Sequence, residues 1–377
     1  MFSDTKPHYE ILDGLRGIAS LMVVLFHIFE IFSGGDHTRQ MINHGYLAVD
    51  FFFLLSGFVI AHAYDDRWSK MTIRQFFTRR LIRLHPMIIA GMAIGAICFY
   101  ASSSPELFPP IAATPVWKLT FVMLAGFLLI PLPLSLDIRG WTEMYPLNGP
   151  AWTLFYEYVA NVLYAVFLRK TSVTILSVLV VIAGVALAHY TITSPNGDII
   201  GGWALTGEQM RIGFTRLLYP FLAGLLLSRL FRPVIVKNAF LLCSLLIVFV
   251  LSFPRIGAYE HLWLNGLYDS FIILIVFPVI VFLGAGGIIK RKATSQVCTF
   301  LGNISYPLYI THFPIAYIFY AWVVNNELPL EKAWPAGLLV LLCSILLAYV
   351  IFRWYDVPVR RWLTARYRQK HSPDLRC

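Results

Sequence analysis

The sequence predicts an all-α fold: a polytopic membrane helix bundle of about ten transmembrane helices plus one short re-entrant or interfacial segment near residues 118–134. Three observations carry that expectation. Hydrophobic residues make up 58% of the 377, and the mean hydropathy is +0.69. Charged residues are only 13%, about half the roughly 25% of soluble globular domains. The apolar residues also fall in long blocks rather than short alternating strands, which argues against a β-barrel. A water-soluble enzyme of this size would need far more polar surface. Disordered, collagen-like and disulfide-scaffold classes are excluded by 15% aromatic residues and five cysteines.

A helix needs about 20 mostly apolar residues to cross a bilayer. Eleven stretches approach this, near 12–32, 45–63, 84–101, 118–134, 152–168, 172–190, 212–228, 238–253, 267–287, 299–322 and 334–352. The first is full length and lacks a small-residue cleavage site, so no cleavable signal is expected. Basic residues set the orientation. They cluster at Lys6 with Arg16, between Arg67 and Arg83, at Arg169–Lys170, from Arg229 to Lys237, at Lys290–Lys292, and along Arg353–Arg376. Placing these in the cytoplasm leaves Arg39, Lys118, Arg139, Arg211, Arg216, Arg255 and Lys332 outside. Both termini are then cytoplasmic, which demands an even number of crossings. The stretch that fails is expected to be 118–134, which is short and runs into Pro131-Leu132-Pro133. Residues 1–377 read as one integral-membrane domain without a linker or repeat.

Ionisable groups inside spans are costly and usually face the bundle interior. The first span begins Leu12-Asp13-Gly14-Leu15-Arg16-Gly17, and His27 follows eleven residues after Arg16. Eleven residues make about three turns with a rise of ~16 Å. Arg16 and His27 therefore share one face, the cation near the inner surface and the imidazole past the midplane. Arg16 fits equally well as a snorkelling anchor. His27 is harder to explain as packing, and an imidazole is suited to accept a proton from a hydroxyl nucleophile.

A second cluster opens the third span, Thr78-Arg79-Arg80-Leu81-Ile82-Arg83-Leu84-His85-Pro86. Arg80 and Arg83 share a helical face, and guanidinium forks bind phosphate oxygens. By charge alone the positive-inside rule accounts for these residues; beside Arg16 they would suit a polyphosphate ligand. Asp50, Glu157, Asp269 and His312 are further polar groups within spans. Asp50 or Glu157 could orient His27 or neutralise an arginine. Gly91 and Gly95 read as close-packing positions between helices, as does Ser56-Gly57. Cys98, Cys243 and Cys343 fall in apolar spans as core residues; Cys298 borders one, and Cys377 ends the chain without a prenylation box. No phosphate-cradling glycine loop, zinc-binding His-Glu-x-x-His or Cys-x-x-Cys is present, so no metal, redox or nucleotide-hydrolysis chemistry is expected.

Taken in order, these segments resemble the integral-membrane acyltransferase family three, which O-acylates extracytoplasmic carbohydrates and some other acceptors. The resemblance rests on Leu12–Ala19 with His27, on Gly45–Phe58, and on Arg79–Pro86. It continues in Pro150-Ala151-Trp152-Thr153-Leu154-Phe155-Tyr156-Glu157, in Leu301–Tyr309 up to His312, and in Tyr355-Asp356-Val357-Pro358-Val359-Arg360. It implies an acyl-CoA donor, typically acetyl-CoA, taken from the cytoplasm at a plasma membrane, with no permanently bound cofactor. It also implies a carbohydrate or other hydroxyl acceptor and no nucleic-acid partner. The family's essential first-span pair falls on Arg16 and His27, its Arg-x-x-Arg on Arg80 and Arg83, and its acidic residue on Glu157. Many members continue with Gln-Phe-Tyr, where this chain has Tyr158-Val159-Ala160-Asn161, the mark of a subgroup. No fused hydrolase-like domain is read.

The expected roles follow. His27 and Arg16 are catalytic, Arg79, Arg80 and Arg83 bind the donor, and Asp13, Asp50, Glu157 and His312 support them or line the acceptor path. The rival class is a proton-coupled transporter or flippase, which would also carry intramembrane His, Asp and Glu. It would show inverted repeats with interrupted helices, and none is found.

Overall fold

The computed structural model describes residues 8–232, 234–257 and 259–371; Lys6, Arg376 and Cys377 lie outside the described residues. Among the described residues the architecture is helical, with a lone bridge between Val236 and Gly287 and no strand. The helices are α1 (Glu10–Glu30), α2 (Ala48–Tyr64), α3 (Ile73–Cys98), α4 (Val116–Phe127), α5 (Trp152–Val166), α6 (Val173–Thr193) and α7 (Gly207–Leu230). They continue with α8 (Ala239–Ser252), α9 (Trp263–Phe271), α10 (Phe277–Ala285), α11 (Lys292–Asn325), α12 (Leu330–Ile351) and α13 (Val357–His371). A π turn, Ile272–Val276, joins α9 to α10, and another, Phe352–Asp356, joins α12 to α13. Each π turn is followed, one residue later, by a proline, Pro278 or Pro358. The missing proline N–H breaks the i→i+4 ladder there.

Among the described residues eight helical segments are long and apolar enough to cross a membrane, which makes this a multi-pass membrane bundle. The expected count of ten would need α5 and α8 as well. These have only 15 and 14 residues, about 22 and 21 Å of helix. The 118–134 stretch yields the 12-residue α4, about 18 Å long and short of a ~30 Å hydrocarbon core. It stops at Leu129, held at a φ of 53°, ahead of Pro131 and Pro133.

The core is built around α11. Its two internal prolines, Pro307 and Pro314, would leave carbonyls without their helical N–H. At Pro314 the orphan is Ile310, and the Asn148 side-chain amide donates to it at 2.6 Å. α1 lies parallel along α11, with Gly14 against Cys298, Gly17 against Leu301 and His27 beside His312. A Cβ at Gly17 would fall 2.6 Å from the Leu301 carbonyl oxygen, so only glycine allows this approach. α3 also runs parallel to α11: Tyr306 donates to the Leu84 carbonyl at 2.7 Å, and Gly91 packs on Ile310. Gly95 packs instead on the Leu147 backbone in the loop before α5.

α2 and α7 form the second close pair, with Gly57 against the Phe221 backbone and Gly224 against that of Leu54. α6 and α12 bury few side chains, among them Leu176 and Leu187, and Ala333 and Ala348. Their remaining faces are apolar and exposed, as a lipid-facing rim requires. Cys343, expected in the core, sits exposed on α12, whereas Cys298 is buried against α1. Arg139 and Arg216 are 1% and 2% exposed and lie buried in the protein.

Candidate active site

A cavity of about 2140 Å³ opens among α1, α2, α3, α5, α11 and α13. Eight arginines line it against four carboxylates, so the walls carry a clear positive excess. Its mouth presents Arg79, Arg83, Arg361 and Arg368, all exposed. Arg16 stands on the α1 wall, and the far end is closed by Val49, Phe52, Thr153 and Tyr309.

The charges near the mouth are ordered by short-range pairs. Arg16 donates to Asp13 one turn earlier at 2.8 Å, and the other Asp13 oxygen lies 2.8 Å from His8 Nε2. That bond holds the His8 imidazole above its ordinary pKa, against the opposing pull of burial. Arg80, 3% exposed, donates to Glu157 at 2.6 Å, and Ser56 Oγ donates weakly to the same oxygen at 3.4 Å. Arg80 is thus held by a carboxylate, which leaves Arg79 and Arg83 facing the open cavity.

At the other end of the α1 stripe lies an imidazole pair. His27 Nδ1 is 2.9 Å from Glu30 Oε2. A carboxylate oxygen only accepts, so Nδ1 carries the proton and Nε2 is left with its lone pair. His312 repeats the logic: Nδ1 lies 3.0 Å from the Leu308 carbonyl, and its Nε2 has no partner. The two rings stack 5.4 Å apart, with Phe313 edge-on to His27 at 4.6 Å. His312 is 1% exposed while the His27 side chain keeps 18%, so His27 is the imidazole a substrate can reach. Tyr320 donates to the His27 carbonyl and to Glu30, fixing the carboxylate.

The two ends are separated by one aromatic layer. Tyr309, whose hydroxyl is 3.0 Å from Thr153 Oγ1, packs edge-on to Phe52, and its ring centroid is 6.2 Å from that of His312. Arg16 lines the cavity and His27 does not; Phe52 and Tyr309 also line the cavity, Tyr309 beside His312.

The structure thus brings Asp13 to Arg16, and His312 to His27. It does not bring Asp50 or Glu157 to His27. Asp50 and Arg216 pair at 2.8 Å in the interior between α2 and α7, and Glu157 takes Arg80. The residue oriented on His27 is Glu30, which sequence reasoning missed although it lies at i+3 on the same helix. Asp269 is likewise structural, accepting from Tyr46 at 2.7 Å. Glu143 was also missed. It sits in the loop before α5 and accepts from Tyr317; burial lifts its carboxyl to about 8 against the counter-pull of Arg139. Among the described residues no group of three or more His, Cys, Asp or Glu is placed to hold a metal ion.

A helical membrane bundle with a basic cavity on one side and an oriented imidazole beyond its floor is the framework of a membrane-embedded group-transfer protein. Residues 9–353 match the family model described as an acyltransferase domain, and the chain belongs to that family. It is similar to "Protein 2 in picA locus" of Rhizobium radiobacter, 36% identical over 200 residues, 50% of this chain and 100% of that protein. It is also similar to the O-acetyltransferase OatA of Staphylococcus aureus strain NCTC 8325, 21% identical over 363 residues. That match covers 93% of this chain, which spans 57% of the length of OatA. No solved structure matches.

Proposed function

We propose that the protein is a plasma-membrane O-acyltransferase. It takes an acyl group, typically acetyl, from cytoplasmic acyl-CoA and delivers it to a hydroxyl of an extracytoplasmic carbohydrate or similar acceptor. The observation that carries this reading is the arginine-lined cavity whose floor lies one aromatic ring from the His27–His312 pair. A nucleotide thioester fits such a space: phosphates at the guanidinium-rich mouth, a thin arm along the α1 wall past Arg16, and the thioester at the floor. Family membership and the likeness to OatA support acyl transfer; the donor and the acceptor are our assignment.

The chemistry needs one proton acceptor. His27 Nε2 takes the proton of the acceptor hydroxyl as its oxygen attacks the thioester carbonyl carbon. The C–S bond then breaks, and the thiolate leaves with that proton as free CoA thiol. Glu30 holds the ring angle and stabilises the imidazolium that forms in between. In an acyl-His27 route the Nε2 attacks the thioester and releases the thiolate, which then takes the proton of the attacking acceptor hydroxyl as the acyl group passes to it. The aromatic layer of Phe52 and Tyr309 must yield for thioester and hydroxyl to meet.

The deciding experiment supplies acetyl-CoA and cell-envelope glycans to purified protein in lipid nanodiscs and measures free thiol and glycan-bound acetate. Acceptor-dependent appearance of both is expected; their absence with every glycan tried, alongside movement of a substrate across the bilayer, would give the transporter class instead. Arg83→Ala should raise the Kd for acetyl-CoA about tenfold, the loss of one charge-assisted phosphate contact. Isothermal titration would show it, and an unchanged Kd would remove Arg83 from the donor site. Arg80→Ala is a poorer probe because it strands Glu157.

A further inference from the structure

The sequence reads the C-terminal basic run as a topology signal. In the structure it forms α13, which continues α12 through the π segment Phe352–Asp356 and lines the cavity. Asp356 and Arg360 pair along it at 2.7 Å. One face of α13 then lines the cavity: Arg361, Thr364, Ala365 and Arg368, at helical spacings of three and four. The opposite face carries Arg366, stacked on Trp362 at 4.4 Å, with Trp354 and Trp362 exposed as side chains at a membrane surface often are. The helix thus divides its arginines between two environments.

We infer that α13 is a second wall of the donor site: Arg361 and Arg368 bind the phosphate groups of the CoA nucleotide from the side opposite Arg79 and Arg83. The inference rests on the acyl-CoA reading above and deepens it. α3 alone offers Arg79 and Arg83 on one wall, because Arg80 is spent on Glu157. A ligand with several phosphates presents oxygens in more than one direction, and guanidinium forks on facing walls can engage them together. The positive excess of this cavity also demands an anion, since like charges gathered in a partly desolvated space repel one another. Arg361 and Arg368 lie beyond the 9–353 match to the family model.

Anionic lipid headgroups offer the same phosphate chemistry, and the test separates the two sources. Binding of CoA to the full-length protein is measured by isothermal titration, in nanodiscs of phosphatidylcholine alone and in nanodiscs with added phosphatidylglycerol. The variants are Arg361→Gln with Arg368→Gln, and Arg366→Gln as a control that removes a charge from the other face. Arg361 and Arg368 are exposed, so the variants should fold, and unchanged thermal melting checks this. The double variant should weaken CoA binding at least tenfold in both membranes, with Arg366→Gln within twofold of the parent. Parental affinity in the double variant would overturn the inference, as would equal losses in the double variant and the control, or a loss confined to phosphatidylglycerol membranes. A parent protein that binds no CoA would instead overturn the donor assignment itself.

Discussion

His27→Ala is expected to lower acyl transfer by ~10²–10⁴-fold, the range set by loss of a positioned general base, while leaving the Kd for acetyl-CoA unchanged. The separation follows from geometry: His27 is not on the cavity wall, and every group assigned to the donor's phosphates lies at the opposite end of the stripe. Its ring packs against Phe26, His312 and Phe313, so truncation leaves a small void and removes one partner of Glu30, which Tyr320 still holds. Membrane insertion should be preserved, as size-exclusion profiles in detergent would show. Glu30→Gln should reproduce a milder form of the defect, lowering kcat by roughly an order of magnitude or more with KM for the donor unaffected, because the carboxylate acts through the imidazole. A His27→Ala protein turning over at the parental rate would remove the base from the mechanism. Parental kcat in Glu30→Gln would reduce that contact to helix-end packing.

The largest effect on stability is expected from breaking the Asp50–Arg216 pair. Both side chains are buried, at 0% and 2% exposure. Arg216 also donates to the Tyr46 carbonyl at 2.7 Å and to that of Gly201 at 3.2 Å, and stacks on Trp152 at 5.2 Å. It therefore ties α7 to the start of α2 and to the loop before α7. Removing one member of a buried pair leaves an uncompensated charge and typically costs about 3–5 kcal/mol. Arg216→Met should depress the thermal midpoint sharply, whereas Arg216→Met combined with Asp50→Leu should recover much of the loss. Thermal unfolding followed by loss of the monodisperse peak would measure it. If Asp50→Asn instead melts like the parent and abolishes transfer, Asp50 belongs to the acceptor path.

The bundle was legible because bilayer crossing imposes length and apolar composition on each helix, and those are local properties. Its precise number of crossings was less so: α5 and α8 are borderline in length, and the turns that extend or shorten them depend on neighbours. The site was legible only at its two ends. Arg16 and His27 declare themselves by an eleven-residue spacing, and Arg83 by its place in a basic run. The partners do not. Arg80 meets Glu157 across 77 positions and Asp50 meets Arg216 across 166, and both pairings are created by packing that no local pattern encodes. Glu30 is the instructive exception, one turn beyond His27, where an acidic residue closing an apolar run reads as a solvated helix end. Likewise the C-terminal arginines satisfy the positive-inside rule, and only the packing of α13 against the cavity reveals that some of them face it.

The layer formed by Phe52 and Tyr309 bears on the cell's energetics. The cavity opens on one side of this layer and the polar His27–Glu30 pair lies on the other; joined, they would short-circuit the ion gradient that the membrane maintains. On the acyl-transfer proposal, each round would have to part Phe52 and Tyr309 just far enough to pass an acyl group and then close the gap before protons leak through.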